Sequence, residues 1–180
     1  MAEKATIYKA NIQLADMDRQ VYGDYSLTIA LHPSETHERM LVRILAFCYC
    51  AAENLVFTRG LSSVDEPDLW RKHDDGRILE WIEVGQPSVE RLKKASSQAE
   101  SVKVFAYGRG LDIWWKNNIS AIASLPKVQV QCFGTGELQA ACAGVEKTMN
   151  LSVSITENMV YLSTAEGNTY TLGLREMRDL

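Results

Sequence analysis

The segment Ile78-Leu79-Glu80-Trp81-Ile82-Glu83-Val84 decides the fold class of this chain. Because the segment is strongly apolar and of strand length, we predict a strand over Ile78–Val84. Pro87 and Ser88 then open an amphipathic helix that we expect to run to about Ser101. A strand followed directly by a helix is the repeating unit of an α/β protein.

Further elements are predicted on both sides of this segment. Alternating or apolar-rich runs predict strands at Ala5–Leu14, Tyr25–Leu31, Leu55–Thr58, Val102–Tyr107, Val128–Phe133, Leu151–Thr156, Met159–Ser163 and Thr169–Leu174. Helices are predicted from the N-cap Ser34 to about Glu53, through Trp114 and Trp115, and from the N-cap Thr135 to about Thr148. The polar stretch Gly60–Arg77 is predicted as a loop. We therefore predict one α/β domain over residues 1–180, with a mixed central sheet flanked by helices and added antiparallel strands at both ends.

The composition is that of a globular protein and does not indicate an activity. Of 180 residues, 46% are hydrophobic and 23% are charged, which excludes disordered and fibrous proteins. No apolar run reaches the length of about 18 residues that a membrane helix needs, and no signal-peptide core is present. We expect a cytoplasmic protein without membrane contact. The four cysteines match no zinc-site or thioredoxin spacing and are expected to be reduced.

Familiar catalytic motifs are incomplete or absent in this sequence. His37-Glu38-Arg39-Met40-Leu41 begins like a zinc-protease site, but leucine stands where the second histidine is needed. Gly134-Thr135-Gly136 follows a predicted strand, as a phosphate-binding loop does, yet it lacks the third glycine and the lysine. The chain contains no Gly-x-Ser-x-Gly or Walker motif. These observations argue against metalloproteases, serine hydrolases and P-loop enzymes.

Acidic residues from distant parts of the chain form a more informative pattern. The two-residue period of a strand places Glu83 on the same face as Trp81. A buried carboxylate at this position needs a partner, either a divalent metal shared with Asp68 or a salt bridge from a lysine of the next helix. On the first helix, Glu38 lies nearer than Glu35 to the centre of the apolar stripe. We therefore expect Glu38 to lean toward the sheet.

The helix after Glu83 offers cationic and amide side chains to the same region. Arg91, Lys94 and Gln98 share one helical face, and Lys93 lies on the opposite flank. A metal held by oxygen ligands lowers the pKa of water and polarises a phosphoryl oxygen, while a nearby cation stabilises the developing charge. The pattern therefore suggests phosphodiester chemistry, with Arg91 and Gln98 binding the substrate, although a purely structural role fits the same spacing.

Blocks of sequence over nearly the whole chain resemble the YaeQ family of bacterial proteins. The blocks are Lys4-Ala5-Thr6-Ile7-Tyr8-Lys9-Ala10, His32-Pro33-Ser34-Glu35-Thr36 with Glu38-Arg39-Met40, Phe57-Thr58-Arg59-Gly60-Leu61, Asp65-Glu66-Pro67, Trp81-Ile82-Glu83 with Gly85, Lys93-Lys94-Ala95 with Gln98-Ala99, and Ile113-Trp114-Trp115. The resemblance implies a variant of the PD-(D/E)XK restriction-endonuclease-like core with a magnesium-dependent nuclease-like site. It implies that Asp68 and Glu83 are the metal ligands, and that Glu38 or Glu35 is the first-helix glutamate of that superfamily.

The sequence departs from the superfamily pattern two residues after Glu83, where Gly85 replaces the motif lysine. Some members of the superfamily carry this lysine on the following helix, which points to Lys93 or Lys94. The shared face with Arg91 favours Lys94.

Two hypotheses follow from these residues. The first is a magnesium-dependent nuclease. Its catalytic residues are Glu38, Asp68, Glu83 and Lys93 or Lys94, with Asp65 and Glu66 competing with Asp68 as the loop ligand. The second is a module that keeps the nuclease fold without turnover and binds nucleic acid or a protein partner.

Overall fold

A computed structural model describes residues 4–177 of the chain. The chain forms two compact units, residues 4–51 with 134–174 and residues 52–133 with 175–177. The strands are β1 (Thr6–Asp16), β2 (Val21–Leu31), β3 (Leu55–Phe57), β4 (Leu69–Lys72), β5 (Ile78–Val84), β6 (Ala99–Ala106), β7 (Val128–Phe133), β8 (Thr148–Thr156), β9 (Met159–Thr164) and β10 (Thr169–Glu176). The helices are α1 (His37–Cys50), α2 (Val89–Gln98), α3 (Leu111–Ala123) and α4 (Thr135–Ala141), with short 3-10 turns at Gly60–Ser62 and Cys142–Gly144. The prediction of a mixed α/β fold is confirmed. Within residues 4–177, no helix is long and apolar enough to cross a membrane.

The first unit is a mixed sheet with the strand order β2-β1-β8-β9-β10. β1 pairs antiparallel with β2 and parallel with β8, and β8, β9 and β10 follow one another antiparallel. Burial alternates along β1, where Tyr8, Ala10 and Ile12 are buried and the residues between them are exposed. α1 packs on the buried face, where the Phe47 ring lies edge-on to Tyr25 with 5.4 Å between ring centroids.

The second unit is a mixed sheet with the strand order β3-β4-β5-β6-β7. β3, β4 and β5 are antiparallel, whereas β5, β6 and β7 are parallel and are connected through α2 and α3. Trp81, Leu92, Val104 and Trp115 belong to the hydrophobic core between the parallel strands and these helices. Carboxyl ends of parallel strands are where α/β proteins place their sites, and Glu83 lies at that end of β5.

The first helix begins later than the sequence predicted. Thr36 is its N-cap and accepts the Arg39 N–H at 3.1 Å, so the prediction of Ser34 was wrong. The Ser34 hydroxyl instead lies 2.7 Å from Nδ1 of His32. α1 also ends at Cys50 rather than near Glu53. At this end of the helix, the Arg19 guanidinium binds the carbonyls of Cys48 and Ala51.

The helices α2 and α4 both end earlier than predicted, because residues that follow them pair with a neighbouring strand. Ala99 lies opposite Ile78 in the parallel ladder, so α2 ends at Gln98 and β6 begins earlier than expected. Similarly, Thr148 pairs with Lys9, which brings the segment predicted as the end of a helix into β8. α4 is correspondingly short, and its N-cap is Gly134 rather than Thr135.

Candidate active site

Asp68 and Glu83 lie close together. Asp68 directly precedes β4, and Glu83 is the last residue but one of β5. Leu69 pairs with Ile82, and the Asp68 N–H extends this ladder by donating to the Ile82 carbonyl at 3.0 Å. This bond places the Asp68 backbone against Ile82, next to Glu83, and the negative charge of Asp68 acts on the Glu83 carboxyl. The Asp68 Oδ2 atom accepts the Val84 N–H at 2.9 Å. Exposures of 2% for Asp68 and 4% for Glu83 show that both carboxylates are withdrawn from solvent.

The pKa of Glu83 reflects this burial. Burial and, to a smaller extent, the negative charge of Asp68 raise the pKa of the Glu83 carboxyl to about 7. The positive charge of Arg91 and the hydrogen bonds from Trp81 and Arg91 oppose that rise. A carboxyl poised near neutral pH in a desolvated position is a feature of functional sites and also of buried ion pairs.

Arg91 is the cationic partner of Glu83. Its Nε donates to Glu83 Oε1 at 2.7 Å, and the Trp81 indole N–H donates to the same oxygen at 2.7 Å. The remaining nitrogens of the guanidinium bind the carbonyls of Val64 and Glu66 at 3.0 and 2.7 Å. Arg91, predicted to bind substrate, therefore joins the buried carboxylate to the loop before β4. The sequence predicts a lysine as the salt-bridge partner of Glu83, and it contains no signal that Arg91 forms this pair instead.

The candidate lysines lie on exposed parts of α2. Lys94 Nζ donates to Asp65 Oδ1 at 2.7 Å, and this ion pair lowers the pKa of the Asp65 carboxyl. Lys93 and Gln98 are exposed, and within residues 4–177 neither side chain has a hydrogen-bond partner. The structure therefore pairs Arg91 with Glu83 and Lys94 with the loop residue Asp65. Within the described residues, Lys93 and Gln98 make no hydrogen bond to Asp68 or Glu83.

The acidic residues of the loop differ strongly in their environments. Asp65 is exposed, and Glu66 Oε2 accepts the Arg59 Nε–H at 2.8 Å and the Arg59 backbone N–H at 3.3 Å. Asp68 is the buried one of the three. Of the three loop carboxylates, Asp68 is therefore the one that is buried next to Glu83 and could bind a metal together with it.

Gly85 has a conformation that explains why no lysine stands there. Its φ of +105° lies in a region that side-chain-bearing residues rarely adopt, and its N–H donates to the Phe105 carbonyl at 3.0 Å. In the part of the chain that the structure describes, no heavy atom outside the two adjacent residues lies within 4 Å of the position that a Cβ would take, so the restriction comes from the backbone and not from crowding. A lysine in this place would have to adopt a strained backbone.

Glu35 and Glu38 lie in the first unit, and Asp68 and Glu83 lie in the second. We expected Glu38 to lean toward the sheet, but Glu35 is the buried carboxylate and Glu38 is only partly buried. Glu35 lies before α1, where Oε2 accepts bonds from Arg39 and Arg43 at 2.6 and 2.9 Å. These ion pairs with Arg39 and Arg43 explain why the Glu35 carboxylate can be buried, and they give it a structural role. The catalytic role of Glu38 stays a prediction.

The carboxylate pair fits a divalent ion of the magnesium type. Magnesium commonly takes one or two protein carboxylates and completes its shell with water and phosphate oxygens. In the described part of the chain, no group of three or more histidine, cysteine, aspartate or glutamate residues could hold a metal ion. Trp81 and Arg91 donate to Oε1 of Glu83, and the Val84 N–H donates to Oδ2 of Asp68. Two carboxylates are thus the protein's contribution.

Fold and site together define a mixed α/β protein with a buried carboxylate pair at the end of a parallel strand. The family model described as YaeQ protein matches residues 1–172, and the chain belongs to the YaeQ family. It is 44% identical over 169 residues to the uncharacterized protein YaeQ of Salmonella typhi and 43% identical over 169 residues to that of Escherichia coli K12, covering 93% of each chain in both comparisons.

Solved structures of this family share the fold. The crystal structure of YaeQ protein from Xanthomonas axonopodis pv. citri matches with a TM-score of 0.92 and 37% identity, covering 98% of this chain and 99% of that one. The crystal structure of YaeQ protein from Pseudomonas syringae matches with a TM-score of 0.91 and 39% identity, covering 98% and 97% of the two chains.

Proposed function

We propose that this protein is a divalent-metal-dependent phosphodiesterase acting on nucleic acid, with a restriction-endonuclease-like core and a site at Asp68 and Glu83. The observation that carries the proposal is the adjacency of these two buried carboxylates. Like charges held together away from water are unfavourable, and a bound divalent cation would offset both of them. The resemblance of Pro67-Asp68 and Glu83 to the PD-(D/E)XK elements supports the same assignment.

The chain's own residues have distinct roles in this proposal. Asp68 and Glu83 would hold magnesium, which supplies Lewis-acid polarisation of a phosphate and an activated water when bound. The Val84 N–H orients Asp68, and the Trp81 indole and Arg91 orient Glu83. We assign Arg91 to positioning rather than to the substrate, since its guanidinium is taken up by protein oxygens.

Lys94 is the cation that we assign to the phosphate charge. Among the described residues, its Nζ is held by one exposed carboxylate, Asp65, and the Lys94 side chain is 42% exposed. An exposed ion pair is worth little, so Lys94 can exchange this partner for a phosphate oxygen at small cost. In this role it would substitute for the lysine that Gly85 excludes.

The test is cleavage of single- and double-stranded DNA and RNA by the full chain with magnesium, manganese or EDTA. We expect cleavage that requires the metal and that falls by about 100-fold or more in Asp68→Asn and in Glu83→Gln. Asp75→Asn is the matched control, because Asp75 is an exposed carboxylate paired with Arg77 in a turn. Failure of the unsubstituted chain to cleave any substrate, or equal cleavage by all variants, contradicts the proposal.

A second candidate, binding without turnover, is favoured by the backbone at Gly85. Its φ of +105° excludes the motif lysine, and a site without a competent cation would hold metal and ligand but not cleave. Calorimetric titration with manganese separates the two candidates. Metal binding that Asp68→Asn abolishes, together with intact nucleic acid, supports this candidate, and capture of a protein instead of nucleic acid supports its protein-binding form.

A further inference from the structure

β2 is the edge strand of the sheet in the first unit, and its outward backbone groups can be assigned. The N–H groups of Lys9 and Met17 donate to the carbonyls of Lys147 and Ile155, so the odd-numbered residues of β1 direct their backbone bonds toward β8. The even-numbered residues of β1 therefore bond to β2, where they pair with odd-numbered residues. It follows that the even-numbered residues of β2 point their N–H and C=O groups away from the sheet.

These outward groups are almost entirely without partners. The Ala30 carbonyl accepts a bond from Arg43 at 3.0 Å. Within residues 4–177, no hydrogen bond reaches the outward backbone groups of Tyr22, Asp24, Ser26 or Thr28. An edge of this kind is a ready template for another strand.

β2 also lacks the features that usually block such pairing. Edge strands are protected by lysine, proline, bulges or shortness. β2 spans 11 residues without proline or lysine, and its register with β1 is unbroken from Val21 to Leu31. Asp24 is its single charged residue.

We propose that two copies of this chain pair antiparallel through β2, with Ser26 on the two-fold axis. This register uses all 11 residues and places Ser26 opposite Ser26, Asp24 opposite Thr28, and Tyr22 opposite Ala30. No like charges face one another. A two-fold interface of this kind is self-complementary, as symmetric dimers require.

Neighbouring residues of β1 extend this complementarity across the exposed face of the sheet. Lys9 lies beside Thr28 within one copy, so it shares a row with Asp24 of the second copy. Two strand spacings separate the two residues by about 10 Å, which a lysine side chain bridges toward a carboxylate. Each dimer would thus contain this acid–base pair twice.

The same register covers exposed apolar side chains. Ile7 lies beside Ala30 within one copy, which places it in the row of Tyr22 from the second copy. Tyr22 is 63% exposed and Ile7 is 51% exposed in the single chain. Contact across the axis would remove part of both side chains from water.

The first experiment measures self-association by sedimentation equilibrium of the full chain, at concentrations up to about 1 mM. We expect a monomer–dimer equilibrium whose dissociation constant rises by about 10-fold or more in Ser26→Lys, since two ammonium groups would meet on the axis. Ser152→Lys is the matched control, because Ser152 is an exposed serine on the same face but in the central strand β8. We expect this control to dimerise like the unsubstituted chain.

The second experiment tests the register by cross-linking. Under mild oxidation, Ser26→Cys is expected to form a disulfide between two copies, because the self-paired position brings the two Cα atoms about 5.5 Å apart. Thr28→Cys is expected not to, since it faces Asp24 instead of itself. Both variants carry the same native cysteines, so a difference between them reports only the new position.

Charge reversal gives a readout that does not depend on folding of the Ser26 variants. Lys9→Glu is expected to weaken the dimer, and Lys9→Glu combined with Asp24→Lys is expected to restore it. A chain that stays monomeric throughout overturns the proposal, including the case in which β2 binds a strand of a different protein. A dimer that Ser26→Lys leaves unchanged, or one that cross-links equally through Thr28→Cys, overturns it as well.

Discussion

At the scale of single residues, Arg91 determines how the fold tolerates its buried carboxylates. Glu83 Oε1 receives both the Arg91 Nε–H and the Trp81 indole N–H, each at 2.7 Å. The cation and the neutral donor therefore act on one oxygen. Because Arg91 also binds the carbonyls of Val64 and Glu66, its loss would release the loop as well as the carboxylate. Arg91 is accordingly a structural support of the site whether or not the site is catalytic.

Replacing this guanidinium should destabilise the protein in a pH-dependent manner. Arg91→Met is expected to lower the free energy of unfolding by about 3 kcal/mol near pH 8, because an uncompensated charge stays buried. Burial raises the pKa of Glu83 to about 7 in the folded chain. A carboxyl with a raised folded pKa stabilises the fold below its unfolded value and loses that contribution as pH rises through the folded value. The deficit of Arg91→Met should therefore shrink toward about pH 5 in urea titrations with EDTA.

Lys94→Met is the control for this prediction. Lys94 lies one helical turn from Arg91, but its ion pair with Asp65 is exposed and should contribute little to stability. We expect its unfolding curve to match that of the unsubstituted chain at every pH. Equal losses in the two variants, or an Arg91→Met deficit that does not vary with pH, would count against the pairing described here.

At the scale of elements, the hairpin between β8 and β9 shows how one side chain holds a demanding turn. Glu157 and Asn158 have φ values of 50° and 60°, as a two-residue type I′ turn requires. Asp18 Oδ1 and Oδ2 accept their backbone N–H groups at 2.7 and 3.0 Å. The carboxylate thus stabilises a conformation that glutamate disfavours.

Two substitutions test this element. Asp18→Ala should lower the free energy of unfolding by about 1 kcal/mol through loss of the two bonds. Glu157→Asn with Asn158→Gly, the preferred type I′ pair, should raise it by about 1 kcal/mol, also in the Asp18→Ala background. Thermal and urea unfolding of the four proteins measure both effects. A loss of stability on introducing Asn-Gly would show that the turn conformation is wrong.

The elements that the sequence predicted well are those with a strong local signal. β5 and β7 have the predicted bounds, Ile78–Val84 and Val128–Phe133, because β5 is apolar apart from two glutamates and β7 begins with an alternation of valine and glutamine. Ser88 caps α2 as predicted, since its hydroxyl accepts the Arg91 N–H at 3.2 Å. By contrast, β4 lies within the stretch predicted as a loop. Its four residues include Arg71 and Lys72, and its identity as a strand comes from pairing with β5 rather than from its own pattern.

In the candidate site, the sequence predicted the contacts that follow from the geometry of a strand but not those that depend on the tertiary fold. The two-residue period correctly placed Trp81 and Glu83 on one face, and the indole–carboxylate bond follows from it. The choice between Arg91 and Lys94 was not predictable, because both lie on one face of α2. Which of them reaches Glu83 depends on the loop carbonyls at Val64 and Glu66, whose position is a tertiary property.

At the scale of the whole molecule, the net charge of −4 constrains how nucleic acid could bind. Proteins that hold nucleic acid without metal do so with many lysine and arginine contacts, and their affinity falls steeply with salt. A chain with 19 basic and 23 acidic residues is repelled by a polyanion at long range. A divalent cation between Asp68, Glu83 and a phosphate would supply the missing local attraction.

Binding of a labelled oligonucleotide, followed by fluorescence anisotropy, should therefore depend on the metal. With calcium, which commonly supports binding without turnover at magnesium sites, we expect affinity at least about 10-fold above that in EDTA at physiological salt. Asp68→Asn with Glu83→Gln should remove this gain, because the metal then lacks both protein ligands, while Asp75→Asn should retain it. Tight binding in EDTA that weakens steeply with salt would instead mean that a basic surface dominates, and that the carboxylate pair is not what attracts the phosphate backbone.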